Sequence, residues 1–142
     1  MIEKAHRLFI SHSWTYNNAK DTIVRFLDKV GLDYQSLYIP KKDPVHETGT
    51  DQQLLFAITE KIKRSSCLII LAGVFPYYDR WIEKEIEVAK ELGKPIIAIQ
   101  PWSNDKTSEL VKRNANRIVK WQVNQIVEAI KDIDKYTIPY TA

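Results

Sequence analysis

The sequence is poor in the residues from which many enzyme motifs are built. Of 142 residues, one is cysteine, one methionine, three are histidine and four are glycine. The lone Cys67 excludes a disulfide within the chain. It lies in the apolar run 67–72, where a thiol packs as a small hydrophobe rather than reacting as a nucleophile. Gly31, Gly49, Gly73 and Gly93 form neither a dinucleotide-binding nor a P-loop fingerprint. No grouping of Cys and His has metal-ligand spacing, so no metal is expected. No apolar stretch approaches the ~20 residues of a membrane span, and residues 1–7 lack the apolar region of a secretion signal. The expectation is a cytoplasmic chain with no membrane partner. Charge of one sign is in small excess: 21 Lys and Arg against 18 Asp and Glu, a net +3 spread along the chain. The short tract Lys61, Lys63, Arg64 reads as a solvated helix end. Without clustered cations, nucleic acid is not expected as a partner.

What is present is core material: 44% of residues are hydrophobic, enough for one domain over residues 1–142, with a core near 6–134 and a loose tail at 135–142. Short apolar runs alternate with amphipathic segments. Residues 8–10 read as a buried strand ended by Ser11, His12 and Ser13. Residues 17–30 have helical spacing at Ile23, Phe26, Leu27 and Val30, with Gly31 as the stop. Residues 34–39 form a second strand closed by Pro40, and 41–50 a polar loop. Thr50 or Asp51 caps the next helix, with core face Leu54, Leu55, Ile58 and Ile62. Residues 67–72 are the third strand, ended by Gly73. Asp79 caps a helix running to Leu92, and Gly93-Lys94-Pro95 ends it. A fourth strand follows at 96–99, a short helix or turn at 105–113 and a fifth strand at 118–121. Val123, Ile126, Val127, Ile130 and Ile133 mark a last helix.

This alternation predicts an α/β fold: a flavodoxin-like three-layer sandwich whose five parallel strands take the order 2-1-3-4-5. Ligands of such sheets bind beyond the carboxyl ends of the strands, where the winding reverses. That gathers Ser11-His12-Ser13, Gly73-Val74 and Gln100-Pro101-Trp102 around one crevice. A phospho-acceptor role is excluded because Ala72-Gly73 stands where the acceptor Asp belongs. Flavin is disfavoured because the loop after strand one has hydroxyls and amides but no glycine for close approach to a phosphate.

One carboxylate stands out. On a helix a residue shares its face with neighbours three and four positions away. Glu83 and Glu87 have charged neighbours there and read as solvent residues. Glu85 has Trp81, Ile82, Val88 and Ala89, which turns it toward the core or into a cleft lined by Trp81. A carboxyl so placed costs several kcal/mol unless paired or neutralised, which makes it a site candidate. The alternative is a residue at the edge of the apolar face that reaches water. His12, in the crevice, is either a hydrogen-bonded structural group or a ligand contact. His46, in the long loop, is a solvated residue or closes over a ligand. Trp102 is a packed lid or a stacking platform for a ring, and Trp14, Tyr77 and Tyr78 share that rim.

These residues resemble the TIR superfamily, specifically the TIR-like proteins of the ThsB type in bacterial Thoeris antiphage defence. The opening Leu8-Phe9-Ile10-Ser11-His12-Ser13-Trp14 looks like the first TIR motif. The loop 43–49, with Leu55, Ala57-Ile58 and Ser65-Ser66, is similar to the loop and helix after strand two. Trp81-Ile82-Glu83-Lys84-Glu85-Ile86, followed by Gly93-Lys94-Pro95-Ile96-Ile97, resembles the segment carrying the catalytic glutamate, which falls on Glu85. The likeness covers residues 7 to about 100, and later residues by pattern only. Pro44-Val45-His46-Glu47-Thr48-Gly49 departs from the usual form of the loop, and the late Phe-Trp motif of receptor TIR domains is absent.

The resemblance implies an NAD glycohydrolase or ADP-ribose cyclase, with NAD as substrate and no cofactor. The implied site has Glu85 as the catalytic group and Ser11, His12, Ser13, His46, Thr48, Trp81 and Trp102 as substrate contacts. It further implies self-association and a separate effector reached through a nucleotide product. The alternative from another class is a TIR-like module that binds a nucleotide or protein partner without turnover.

Overall fold

The computed structural model describes residues 6–11, 17–32, 34–37, 50–71, 79–100 and 109–132. Ten elements follow in chain order: β1 (His6–Ile10), α1 (Asn17–Lys29), β2 (Tyr34–Leu37), α2 (Asp51–Arg64), β3 (Cys67–Leu71), α3 (Asp79–Glu91), β4 (Ile96–Gln100), α4 (Glu109–Asn114), β5 (Arg117–Lys120) and α5 (Val123–Lys131). The strands pair in parallel in the order β2-β1-β3-β4-β5, as expected.

The strand sequences explain the layering. Leu8, Phe9, Ile10, Leu68, Ile69, Ile70 and Ile96 to Ile99 are all at most 1% exposed, so the middle of the sheet is dry on both faces. Right-handed crossovers send α1 to one face and α2, α3 and α4 to the other. α5 completes the first face, packing on α1, β4 and β5. There Phe26 meets Trp121 edge to face, with ring centroids 6.1 Å apart.

Local signals set the boundaries. Gly31 and Gly93 have φ of 71° and 68°, a left-handed conformation that glycine adopts without cost. Each closes a helix: the Leu32 amide donates to the Leu27 carbonyl at 3.2 Å, and the Lys94 amide to the Ala89 carbonyl at 2.8 Å. Thr50, rather than Asp51, caps α2. Its Oγ1 accepts from the Gln53 amide at 3.1 Å, and Gln53 Oε1 accepts from the Thr50 amide at 2.8 Å. Asn116 ties β4 to the start of β5, since its Oδ1 accepts from the Ile96 amide and its amide donates back to the Ile96 carbonyl. Arg117 then joins β5 to α5 through Asp132 at 3.0 Å and Glu128 at 3.8 Å.

Several expectations need correction. Leu55 is 38% exposed rather than part of the core face, because the buried stripe of α2 is Leu54, Ile58 and Ile62, with Phe56 also outside at 68%. Val30 is 47% exposed because α1 ends at Lys29 and the chain turns away. β5 starts at Arg117 and ends before Trp121, whose ring is drawn to Phe26 instead. α4 runs to Asn114, and β2 is described to Leu37. Residues 38–40, 72–78, 101–108 and 133–142 lie outside the described residues, as does most of the loop 41–50.

Tyr34, opening β2, provides a test of how this edge is held. Its hydroxyl donates to Asp28 Oδ1 at 2.9 Å and lies 3.3 Å from the Val24 carbonyl. Burial, then the Asp28 hydrogen bond and charge, push its pKa from 10.0 up to about 12. The folded state therefore keeps a proton that the unfolded chain loses above pH 10. The stabilisation is complete below pH 10 and fades as pH rises toward 12. Tyr34→Phe is expected to cost about 1 kcal/mol at pH 7 and progressively less above pH 10. Denaturant titrations at both pH values measure this, and phenolate absorbance should lose a tyrosine that titrates near 12.

Candidate active site

Helix α3 positions the candidate carboxylate. Its buried stripe is Glu85, Ile86, Val88 and Ala89, at 3%, 2%, 5% and 0% exposure, while Glu83 and Glu87 face solvent. The stripe packs toward α2 and β3. Three glutamates within five positions thus have two different environments, as helical periodicity predicts. Glu85 sits six residues into α3, roughly 9 Å along the axis from its first residue. Among the described residues no hydrogen bond to Glu85 Oε2 is found, while Glu85 takes part in a further interaction.

Among the described residues the buried polar side chains are Ser11, Ser65 and Glu85. Ser65 has a structural explanation: it follows α2, and its hydroxyl donates to the Ile62 carbonyl at 2.7 Å. Ser11 lies at the end of β1, and its amide donates to the Ile69 carbonyl of β3 at 2.9 Å. It is therefore pinned at the β1–β3 seam, where the winding reverses and sheets of this kind open a crevice. Gln100, half-buried, ends β4 on the same edge.

The other expected contacts cannot be brought into this geometry. Trp81 belongs to α3 by its backbone, but its side chain lies outside the described residues. His12, Ser13, His46, Thr48 and Trp102 lie outside them altogether, as do Trp14, Tyr77 and Tyr78. Cys67 is fully buried, and that burial pushes its thiol up to about 12, so it is no nucleophile. No group of three metal-ligating side chains occurs among the described residues, and no described helix is long and apolar enough to cross a membrane. One polar group escaped the sequence reading. Arg7 in β1, Ser66 just before β3 and Lys94 before β4 fall at one level when the register is carried back, a relation visible only once the register is known.

A chemical character follows. A buried carboxylate favours cationic charge developing beside it, because low surrounding polarity strengthens the attraction. The same group can accept hydrogen bonds from sugar hydroxyls.

Comparison with known proteins supplies the family. Residues 9–106 match the TIR-like domain of the Thoeris protein ThsB. No curated protein matches the chain. Among solved structures, a CMP N-glycosidase from Clostridium botulinum, BcmB, is similar with a TM-score of 0.56 at 16% identity, covering 88% of this chain and 98% of its own. A de novo designed Rossmann 2x3 protein is similar with a TM-score of 0.50 at 9% identity, covering 93% and 90%. Such low identities support the fold alone. The family match spans well over half of the chain, including all of α3 and the end of β1. The chain belongs to the ThsB family of Thoeris TIR-like domains.

Proposed function

We propose that this chain cleaves the bond between nicotinamide and ribose in NAD, with Glu85 as the catalytic residue. The observation that carries this reading is the burial of Glu85 at 3% exposure on a helix whose other glutamates are not buried. The position is also the one that the TIR resemblance assigns.

The reaction suits a single carboxylate. The pyridinium nitrogen of NAD is cationic, so the C1′–N bond breaks with its electron pair going to nicotinamide, which leaves neutral without needing a proton. The ribose gains oxocarbenium character, as in glycoside hydrolysis. The Glu85 carboxylate offsets that charge and accepts hydrogen bonds from ribose hydroxyls. Water then attacks C1′ and releases a proton, giving ADP-ribose. If the pocket excludes water, a nucleophile on the same molecule attacks first and closes a cyclic product. Ser11, His12, Ser13, His46, Thr48, Trp81 and Trp102 are the proposed substrate contacts. The product acts as a signal to a separate effector in antiphage defence.

A nucleotide N-glycosidase acting on a pyrimidine nucleotide is the second reading, favoured by the fold shared with BcmB. It makes a different chemical demand. A neutral cytosine leaves poorly unless protonated, so a general acid must stand beside the base. Glu85 is the only buried carboxylate among the described residues. That balance favours the cationic leaving group of NAD.

Two predictions follow from the site. Glu85→Gln is expected to lower nicotinamide release about 100-fold or more, with the melting temperature held or raised because a buried charge is removed. Glu83→Gln and Glu87→Gln should stay within about twofold of the parent, being on solvent faces. Mass-resolved product analysis with NAD and with CMP, under conditions where the parent turns over, separates the outcomes. Parent-like turnover by Glu85→Gln refutes the assignment. Cytosine release from CMP without nicotinamide release from NAD supports the second reading, and binding without turnover of either supports a non-catalytic module. The second prediction concerns assembly. We propose that a neighbouring copy completes the site through the loop 41–50, so specific activity should climb with protein concentration. Activity strictly proportional to concentration over a hundredfold range, with and without activator, counts against it.

A further inference from the structure

The sheet has a second polar edge, at the amino ends of its strands. Leu8 pairs with Cys67 and Leu68 with Ile96, so carrying the register back one step from the first pair and two from the second sets Arg7 of β1 level with Ser66, just before β3, and Lys94, two residues before β4. The level is bonded: the Arg7 amide donates to Ser66 Oγ at 3.1 Å, and the Ser66 amide donates to the Arg7 carbonyl. With neighbouring strands about 4.8 Å apart, the Arg7 and Lys94 backbones stand about 10 Å from one another with Ser66 between them. Both side chains are long enough to converge over it.

Two other cations near this edge have partners. Arg117 is bound by Asp132 and Glu128, and Lys90 donates to Asn114 at 2.8 Å. Arg7 and Lys94 make no ion pair among the described residues. Burial, and then the Arg7 charge, hold Lys94 below the ordinary lysine range. Like charges held near one another raise the energy of the fold, and an anion between them reverses the sign of that interaction.

The geometry points to Arg7, Ser66 and Lys94 as a site for a phosphate group, at the edge opposite Ser11. The donor set matches a tetrahedral oxyanion. Arg7 offers a planar fork for two oxygens, Lys94 a point charge for another, and Ser66 a hydroxyl whose proton is not used by the bond its oxygen accepts. A carboxylate has two oxygens in one plane and cannot serve three donors equally well. Free phosphate and the phosphate of a nucleotide share this chemistry. The site does not depend on the reaction proposed for Glu85.

The test uses the full chain, with inorganic phosphate as the first probe against chloride at constant ionic strength. The parent's melting temperature should rise saturably, by about 3 °C or more at ten times the midpoint concentration. Arg7→Gln and Lys94→Met should weaken that response at least tenfold, and without phosphate should melt at or above the parent because a repulsion is removed. Lys120→Gln, an exposed cation at the opposite end of β5, and Glu85→Gln should both keep the response. A non-saturating rise of equal slope in every variant overturns the site. If a variant fails to fold, amide shifts in the parent decide. Movement of Arg7, Ser66 and Lys94 with one common midpoint supports the site, and movement confined to other residues overturns it. Adenosine should do nothing, and ADP distinguishes the source: a midpoint well below that of phosphate assigns a nucleotide, an equal one free phosphate, and either supports the site. Nicotinamide release unchanged in Lys94→Met keeps this result separate from the fate of the Glu85 assignment.

Discussion

A parallel sheet buried on both faces is the constraint on which the rest depends. Parallel strands need crossovers, and each crossover here lays a helix on the sheet. The middle of β1, β3 and β4 is consequently aliphatic, with Leu8, Ile10, Leu68 to Ile70 and Ile97 to Ile99 fully buried. Neither face can accept a charged ligand without losing apolar contact. Polar chemistry is displaced to the two ends of the strands and to whatever a helix can carry inward. Ser11 at one end, Arg7, Ser66 and Lys94 at the other, and Glu85 on α3 occupy those three kinds of place.

Of the three, Glu85 conflicts most with local stability. An apolar side chain at that position would extend the stripe of Ile86, Val88 and Ala89, and a carboxylate there costs several kcal/mol before compensation. Helix α3 is well secured elsewhere. Gly93 closes it in a left-handed turn, the following strand β4 is buried throughout its aliphatic run, and Lys90 reaches across to Asn114. A helix held at its carboxyl end and by its sheet contacts can carry a buried carboxylate in its middle. Ser65 is a useful contrast, because one hydrogen bond to Ile62 satisfies it and leaves no chemistry over.

Much of this architecture is legible in the residues, and the boundary of what is legible has physical causes. The strand positions, the stops at Gly31 and Gly93 and the inward turn of Glu85 follow from periodicity and glycine geometry, which are local properties, while the strand order follows from the fold class that the alternation implies. The errors fall where tertiary packing outweighs the local pattern. Leu55 carries an apolar side chain beside Leu54, yet the helix presents only one of two adjacent positions to the sheet. Val30 satisfies helical spacing one residue after the helix has stopped. Trp121 looks like strand and instead packs its ring on Phe26, a contact set by the distance between α1 and the end of β5. Of the candidate site, the buried carboxylate and Ser11 are legible because one helix and one strand end determine them. The row Arg7, Ser66, Lys94 is not, because register between strands far apart in sequence is a property of the assembled sheet.

Helix polarity separates the two edges further. In this topology α1, α2, α3 and α4 all return antiparallel to the strands, so their amino ends point to the Ser11 edge and their carboxyl ends to the Arg7 edge. The aligned peptide dipoles make the first edge attractive to anionic ligands and the second attractive to cations. The last turns of α1, α2, α3 and α4 each carry Lys or Arg, which satisfies that bias at the second edge. Arg7 and Lys94 are not explained in this way. Arg7 lies within β1, and Lys94 lies beyond the glycine that ends α3. Their charges exceed what the neighbouring helix ends call for. At the Ser11 edge the helix amino ends thus favour an anionic group. The opposite edge attracts anions only locally, where Arg7 of β1 and Lys94 before β4 outweigh the surrounding helix termini.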